Sequence, residues 1–178
     1  MNINIVRLLL IIVISTSCMA ETIDSCNQLN NLAPSQRLVL ENAFVNGRSV
    51  DFGFTLAAIA FEESKAGLWN INFQDPSAGV FHTSLRSVLQ RLNMKDTSFN
   101  RNLIGQRLID DETFASKMAI KELRFWQKVH NGDWMKMYES YNAGYGKNPK
   151  YATRIRSNIR TLVSCKFDRY IDRLYYQE

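Results

Sequence analysis

Residues 54–64 read F-T-L-A-A-I-A-F-E-E-S, an unbroken apolar run that closes on two carboxylates and a serine. At about 100° per residue, a helix through this stretch sets Leu56, Ile59, Ala60 and Glu63 on one stripe, within about 60° of Leu56. Glu62 falls about 120° away. The face that packs the core therefore carries Glu63 inward with it. A carboxylate taken out of water costs free energy unless it is partnered or protonated, and an apolar setting makes a carboxyl hold its proton more tightly. A general acid needs such a setting. The plain alternative is a solvated helix end, since Glu is seldom buried.

Outward from this stretch, the helix spans about Val50 to Ser64 and Gly67 stops it. Before it, Pro34 and Ser35 open a helix to about Asn46, with Leu40, Ala43 and Phe44 on one stripe and Gly47 at its end. Residues 21–33 are polar and read as irregular. After it, residues 68–84, L-W-N-I-N-F-Q-D-P-S-A-G-V-F-H-T-S, are punctuated by Asn, Asp, Pro and Gly and read as a loop with room for a short hairpin. A loop of this length behind an inward-facing acid is where a binding cleft is built. Thr83 or Ser84 caps a helix to about Leu92, and a second irregular stretch leads to Asp110 and Asp111.

Asp111 reads as the N-cap of the longest helix, Glu112 to His130, closed by Asn131-Gly132. Phe114, Met118, Phe125 and Val129 share one of its stripes while Ile120 and Leu123 lie opposite, so this helix is expected to run through the core. Helices from Trp134 to about Tyr141, Tyr151 to about Val163 and Asp168 to Tyr175 complete the chain. Strand signals are few. The fold class is mainly α, with little or no sheet.

The length of 178 residues suits one domain with a sizeable core. A hydrophobic content of 46% with 22% charged residues is that of a globular protein. No repeat, low-complexity tract or long linker stands out. Residues 1–20 stand apart. Arg7 precedes the apolar run Leu8–Ile14 and then S-T-S-C-M-A, the pattern of a secretory signal cut after Ala20. The run is shorter than the roughly 20 residues of a membrane span. A lipoprotein anchored through Cys18 and an uncleaved signal anchor are the alternatives, the former weakened by Ser15 three places before the cysteine. The domain is thus expected to occupy residues 21–178 and to work after export, in the periplasm or cell wall.

Losing residues 1–20 removes Arg7 and leaves 21 Lys+Arg against 17 Asp+Glu, a net +4. A basic exported protein suits an anionic partner. Cys26 and Cys165 remain, an even count that in an oxidising compartment implies a disulfide joining the two terminal segments, the alternative being two unpaired thiols.

Three short stretches carry the chemistry: F-E-E-S at 61–64, S-A-G-V-F-H-T at 77–83 and S-Y-N-A-G at 140–144. In this order they resemble the soluble lytic transglycosylase (SLT) domain, a lysozyme-like family that cleaves peptidoglycan. The resemblance covers roughly residues 50–160. It implies a lysozyme-like domain with a cleft. Glu63 then matches the catalytic acid/base, and Ser64 the serine beside it. Gly79, Val80, Phe81 and His82 match a G-L-M-Q-like substrate-binding turn, and Tyr141, Asn142, Ala143 and Gly144 match a Y-N-A-G motif. His82 departs from the family's glutamine, and Ser140 stands where the family commonly has alanine. Either His or Gln can donate to a sugar or acetamide oxygen.

The resemblance implies cleavage of the bond between N-acetylmuramic acid and N-acetylglucosamine, with glycan strands as the partner. One glutamate protonates the leaving oxygen and then takes the proton of the muramyl 6-hydroxyl, which closes a 1,6-anhydro ring. No water enters, so the second carboxylate that glycoside hydrolases generally use is not required. A lysozyme-type hydrolase is the near alternative, with Asp75 or Glu139 as the second carboxylate. A catalytically silent peptidoglycan-binding scaffold is the alternative from another class. The small size resembles transglycosylases that open gaps for secretion machines, and also phage lysis enzymes. A monomer is expected, with no cofactor.

The remaining residues point elsewhere or nowhere. Y-N-A-G alone also suits a helix C-terminus. His82 and His130 are the only histidines, with no cysteine cluster beside them, so a zinc site is not expected. No Ser-His-Asp order or phosphate-cradling glycine loop is present, and nucleic acid is not an expected partner. The basic and aromatic tail, from Arg154 to Tyr176, reads as a solvated helix face.

Overall fold

Helix α1 (Pro34–Arg48) turns through four residues into α2 (Gly53–Ser64), and the two pack along their length. A Cβ on Gly47 would come within 2.8 Å of the Phe52 backbone, so the turn closes this tightly only around glycine. In this computed structural model the described residues are 26–72 and 74–175, without the side chains of 174 and 175. The expected signal segment and its cut after Ala20 lie outside them.

After α2 come three two-residue strands, β1 (Ile71–Asn72), β2 (Ser77–Ala78) and β3 (Thr83–Ser84). They pair antiparallel in that order, with Ile71 opposite Ala78 and Ala78 opposite Thr83. The helices α3 (Leu85–Arg91), α4 (Ser98–Asp110), α5 (Glu112–Val129), α6 (Trp134–Ala143), α7 (Pro149–Ser164) and α8 (Phe167–Tyr175) follow. The fold is mainly α with one small sheet.

The chain divides into two compact units. The larger is residues 33–160. The smaller, among the described residues, is 26–32 with 161–175. The Cys26–Cys165 disulfide lies within the smaller unit, with the Cα atoms 5.5 Å apart.

Within the larger unit α5 is the central element, touching α1, α2, α3, α4, α6 and β3. Asp111 caps it by accepting a 2.8 Å hydrogen bond from the Phe114 N–H. Its buried residues are Phe114, Ala115, Ser116, Met118, Ala119, Glu122, Leu123 and Trp126. The expected stripe is therefore corrected at Phe125 and Val129, which are exposed. Phe125 instead lies under the Arg91 guanidinium, 4.5 Å from the ring centroid.

A second correction concerns α4, in a stretch read as irregular. Thr97 caps it by accepting from the Asn100 N–H at 3.2 Å. Ile104 and Leu108 are its only buried residues. So thin an apolar stripe, with Gly105 in mid-helix at about 1 kcal/mol below alanine in helix propensity, gives little periodic signal. The helix forms because tertiary packing holds it.

Candidate functional site

Every residue of α2 from Thr55 to Ala60 is buried, so the helix is enclosed on all sides and not along one stripe. Burial consequently fails to separate the two glutamates. The Glu62 side chain is 15% exposed and that of Glu63 is 14% exposed. Their partners separate them. Glu62 takes an ion pair from Arg154 and a 3.4 Å hydrogen bond from Asn158, both on α7. Glu63 has no cation of that kind. The Tyr151 hydroxyl donates to its Oε1 at 2.7 Å, and His82 Nδ1 lies 3.5 Å from its Oε2.

The end of α2 is fixed by Ser64. Its hydroxyl is fully buried, lies 2.8 Å from the Val80 carbonyl oxygen and 2.9 Å from that of Ala60, and accepts the Gly67 N–H at 2.8 Å. Lys65, Ala66 and Gly67 all take positive φ, a sharp left-handed exit that stops the helix two residues earlier than glycine alone would. Gln36 of α1 secures the exit by donating to the Lys65 carbonyl at 2.9 Å.

The turn 79–82 is held against this end. Gly79 has φ +77°, and a Cβ there would overlap the Leu108 carbonyl oxygen of α4. The Tyr141 hydroxyl of α6 donates to the Phe81 carbonyl at 3.0 Å. His82 sits at φ +41°, a left-handed conformation uncommon outside glycine. Its Nε2 lies 2.6 Å from the Trp69 carbonyl oxygen. A carbonyl only accepts, so Nε2 carries a proton and Nδ1 is the edge turned to Glu63.

Electrostatics follow from these contacts. For His82, burial opposes the imidazolium, but the Glu63 hydrogen bond, the Trp69 carbonyl and the Glu63 charge outweigh it and raise the ring above its usual 6.5. Burial, reinforced by the Glu63 charge, pushes Tyr151 and Tyr141 well above the usual tyrosine value. Both phenols stay neutral donors.

A cavity of about 300 Å³ opens beside His82, walled in part by Asp75, Glu122, Trp126, Tyr141 and Asn142. Glu63 touches His82 but is not itself in that wall. Thr83 lines the cavity, and its hydroxyl is buried without a hydrogen-bond partner. Glu122 is committed to structure: Arg91 Nε donates to Oε2 at 2.7 Å and Trp126 Nε1 donates to Oε1 at 2.7 Å. Among the described residues no three His, Cys, Asp or Glu side chains gather in a way that would hold a metal ion.

The structure brings Glu63, His82 and Tyr141 together and sets Asn142, exposed, on the cavity rim, where its Oδ1 accepts from Asn148 at 2.7 Å. It does not bring all the expected sugar contacts to a surface. Ser64, Gly79, Val80 and Phe81 are buried, so they build the site from beneath and cannot face a ligand with their side chains. Asp75 lines the cavity, whereas Glu139 does not. Ser140 is buried, its hydroxyl 2.8 Å from His130 Nε2.

Tyr151, the nearest partner of Glu63, carries no functional signal in the sequence. With Ala152 and Ile155 it reads as one more core position on a helix face, and nothing in its spacing points back 88 residues to Glu63. Comparison with protein-family models, with curated proteins and with solved structures finds no match.

Proposed function

We propose that the protein is an exported lytic transglycosylase that cleaves peptidoglycan with Glu63 as its single acid/base. One observation carries the reading: a largely buried carboxyl at a helix end, bound on one oxygen by a neutral tyrosine and on the other by an imidazole, beside a polar cavity. A carboxyl in this setting is shielded from bulk water yet keeps 14% exposure, enough to present one oxygen to a bound sugar. Glu62 and Glu122 are engaged by Arg154 and Arg91. Neither is free to act as a second acid or base.

In the proposed reaction Glu63 gives its proton to the glycosidic oxygen as the C–O bond to the muramyl C1 breaks. The substrate's 2-acetamido group steadies the cationic centre. The muramyl 6-hydroxyl oxygen then bonds to C1 and its proton returns to Glu63, so the protein ends as it began. The position of Asp75 in the cavity wall favours one second reading, hydrolysis of the same bond by an activated water.

Purified peptidoglycan sacculi test the role of Glu63. Glu63→Gln is expected to abolish clearing while sedimenting with insoluble peptidoglycan as the parent does. Equal clearing by variant and parent would remove Glu63 from the reaction.

A further inference from the structure

We propose that Glu63 and His82 act as one pair sharing a single proton along the Nδ1–Oε2 edge, with His82 the positioning residue that sets when Glu63 can serve as the acid. The inference rests on the reading of Glu63 as acid/base.

The imidazole has no freedom to turn away. Its Nε2 proton is fixed by the Trp69 carbonyl at 2.6 Å. Its backbone is held at φ +41° in a turn closed by the His82 N–H to the Gly79 carbonyl at 3.0 Å. An uncommon backbone conformation kept in place by surrounding contacts is where functional constraint concentrates. Nδ1 must therefore face Glu63 Oε2, at ion-pair distance. With no proton between them, two lone pairs oppose each other. With one proton the edge is satisfied either as imidazolium and carboxylate or as imidazole and carboxylic acid, and the switch between these needs no outside proton donor.

In either form the Tyr151 hydroxyl donates to the other carboxyl oxygen of Glu63. The reactive form is the neutral one, in which Oε2 carries the proton. When that proton passes to the leaving oxygen, Glu63 becomes the carboxylate beside a neutral imidazole. The proton of the 6-hydroxyl then restores the pair. His82 is neither consumed nor exchanged with solvent.

The other ionisable groups around the pair do not supply this proton. Tyr151 on α7 and Tyr141 on α6 stay protonated, held so by burial and by the Glu63 charge. Glu62 on α2 is engaged by Arg154 of α7. Asp75 shares the cavity wall with His82, and Glu122 of α5 is held by Arg91.

Two measurements test the pair. The first needs no activity. His82 and His130 are the only histidines, so ring NMR titration resolves both. His82 is expected to titrate above 6.5 in the parent, as the Nε2–H tautomer when neutral. In Glu63→Gln, which removes the contacts that raise it, its midpoint is expected to fall. An unmoved midpoint would overturn the shared proton. The second is the pH profile of sacculus cleavage by His82→Gln, which keeps an amide donor but cannot share a proton. Its alkaline limb is expected to move to lower pH, with kcat at neutral pH down at least about tenfold and KM little changed. An alkaline limb coincident with the parent's would overturn the proposal. A parent that cleaves nothing would overturn the cleavage reading and with it the pair's catalytic role. A flat His82 titration in an active parent would overturn the pair alone.

Discussion

Replacing Ser64 with alanine tests the idea that this residue supports the site without touching the substrate. The change removes one oxygen from a fully buried position. The Ala60 carbonyl still receives the Ala66 N–H at 3.0 Å, so it is not left bare. The loss falls on the Val80 carbonyl, which loses its donor at 2.8 Å, and on the Gly67 N–H, which loses its acceptor at 2.8 Å. A buried polar group stripped of its partner costs about 1–3 kcal/mol. Gly67 is half-buried, so water offsets part of its share, and the sum is about 2–4 kcal/mol. Urea unfolding followed by circular dichroism reads this as a lower midpoint with an unchanged slope. Ser157→Ala, at an exposed position on α7, is the control and should stay within about 0.5 kcal/mol of the parent. The same change frees the turn that carries His82, so cleavage at 25 °C should fall about tenfold even where the variant is fully folded, a loss of about 1.4 kcal/mol at the transition state. A Ser64→Ala variant as stable as the control would refute the reasoning, since the Ser64 contact with the Val80 carbonyl would then do nothing to tie α2 to the turn 79–82.

Two further outcomes follow from particular positions. Gly79→Ala should destabilise by about 2–5 kcal/mol, from the left-handed backbone and from the collision with the Leu108 carbonyl, and thermal unfolding measures it. Glu112 is raised above its usual value by burial, which outweighs the Asn42 hydrogen bond at 2.9 Å, and its Oε1 has no partner. A raised carboxyl gives its full stabilisation below its unfolded value and loses it as pH climbs through the folded one. Glu112→Gln should therefore gain on the parent as pH rises from 4 toward 7, by under about 1 kcal/mol for a group that is only half-buried. Equal pH dependence in parent and variant would contradict that sign.

The sequence made the helical fold legible wherever apolar residues recur with the helical period, as in α1, α2 and α5. It failed at α4, where two buried residues and a central glycine leave almost no period to read. Motif spacing pointed to Glu63, His82 and Tyr141 because those residues lie in short ordered stretches. It could not show which motif residues face outward, because F-E-E-S and G-V-F-H carry no sign of where each side chain points. That is why Ser64, Val80 and Phe81 read as ligand contacts although they lie underneath. Tyr151 was beyond reach for a different reason: its meeting with Glu63 is made by the packing of α7 near α2, and tertiary packing leaves no local trace.

The central claim is that one carboxyl, with no activated water, opens the glycan strand. Digesting purified sacculi with the parent protein and identifying the released sugar ends by mass spectrometry tests it most directly. Ends that are 1,6-anhydro-muramyl, and absent with Glu63→Gln, are the predicted result. Reducing muramic acid ends would contradict it in favour of hydrolysis, and the absence of any released ends would dismiss cleavage altogether.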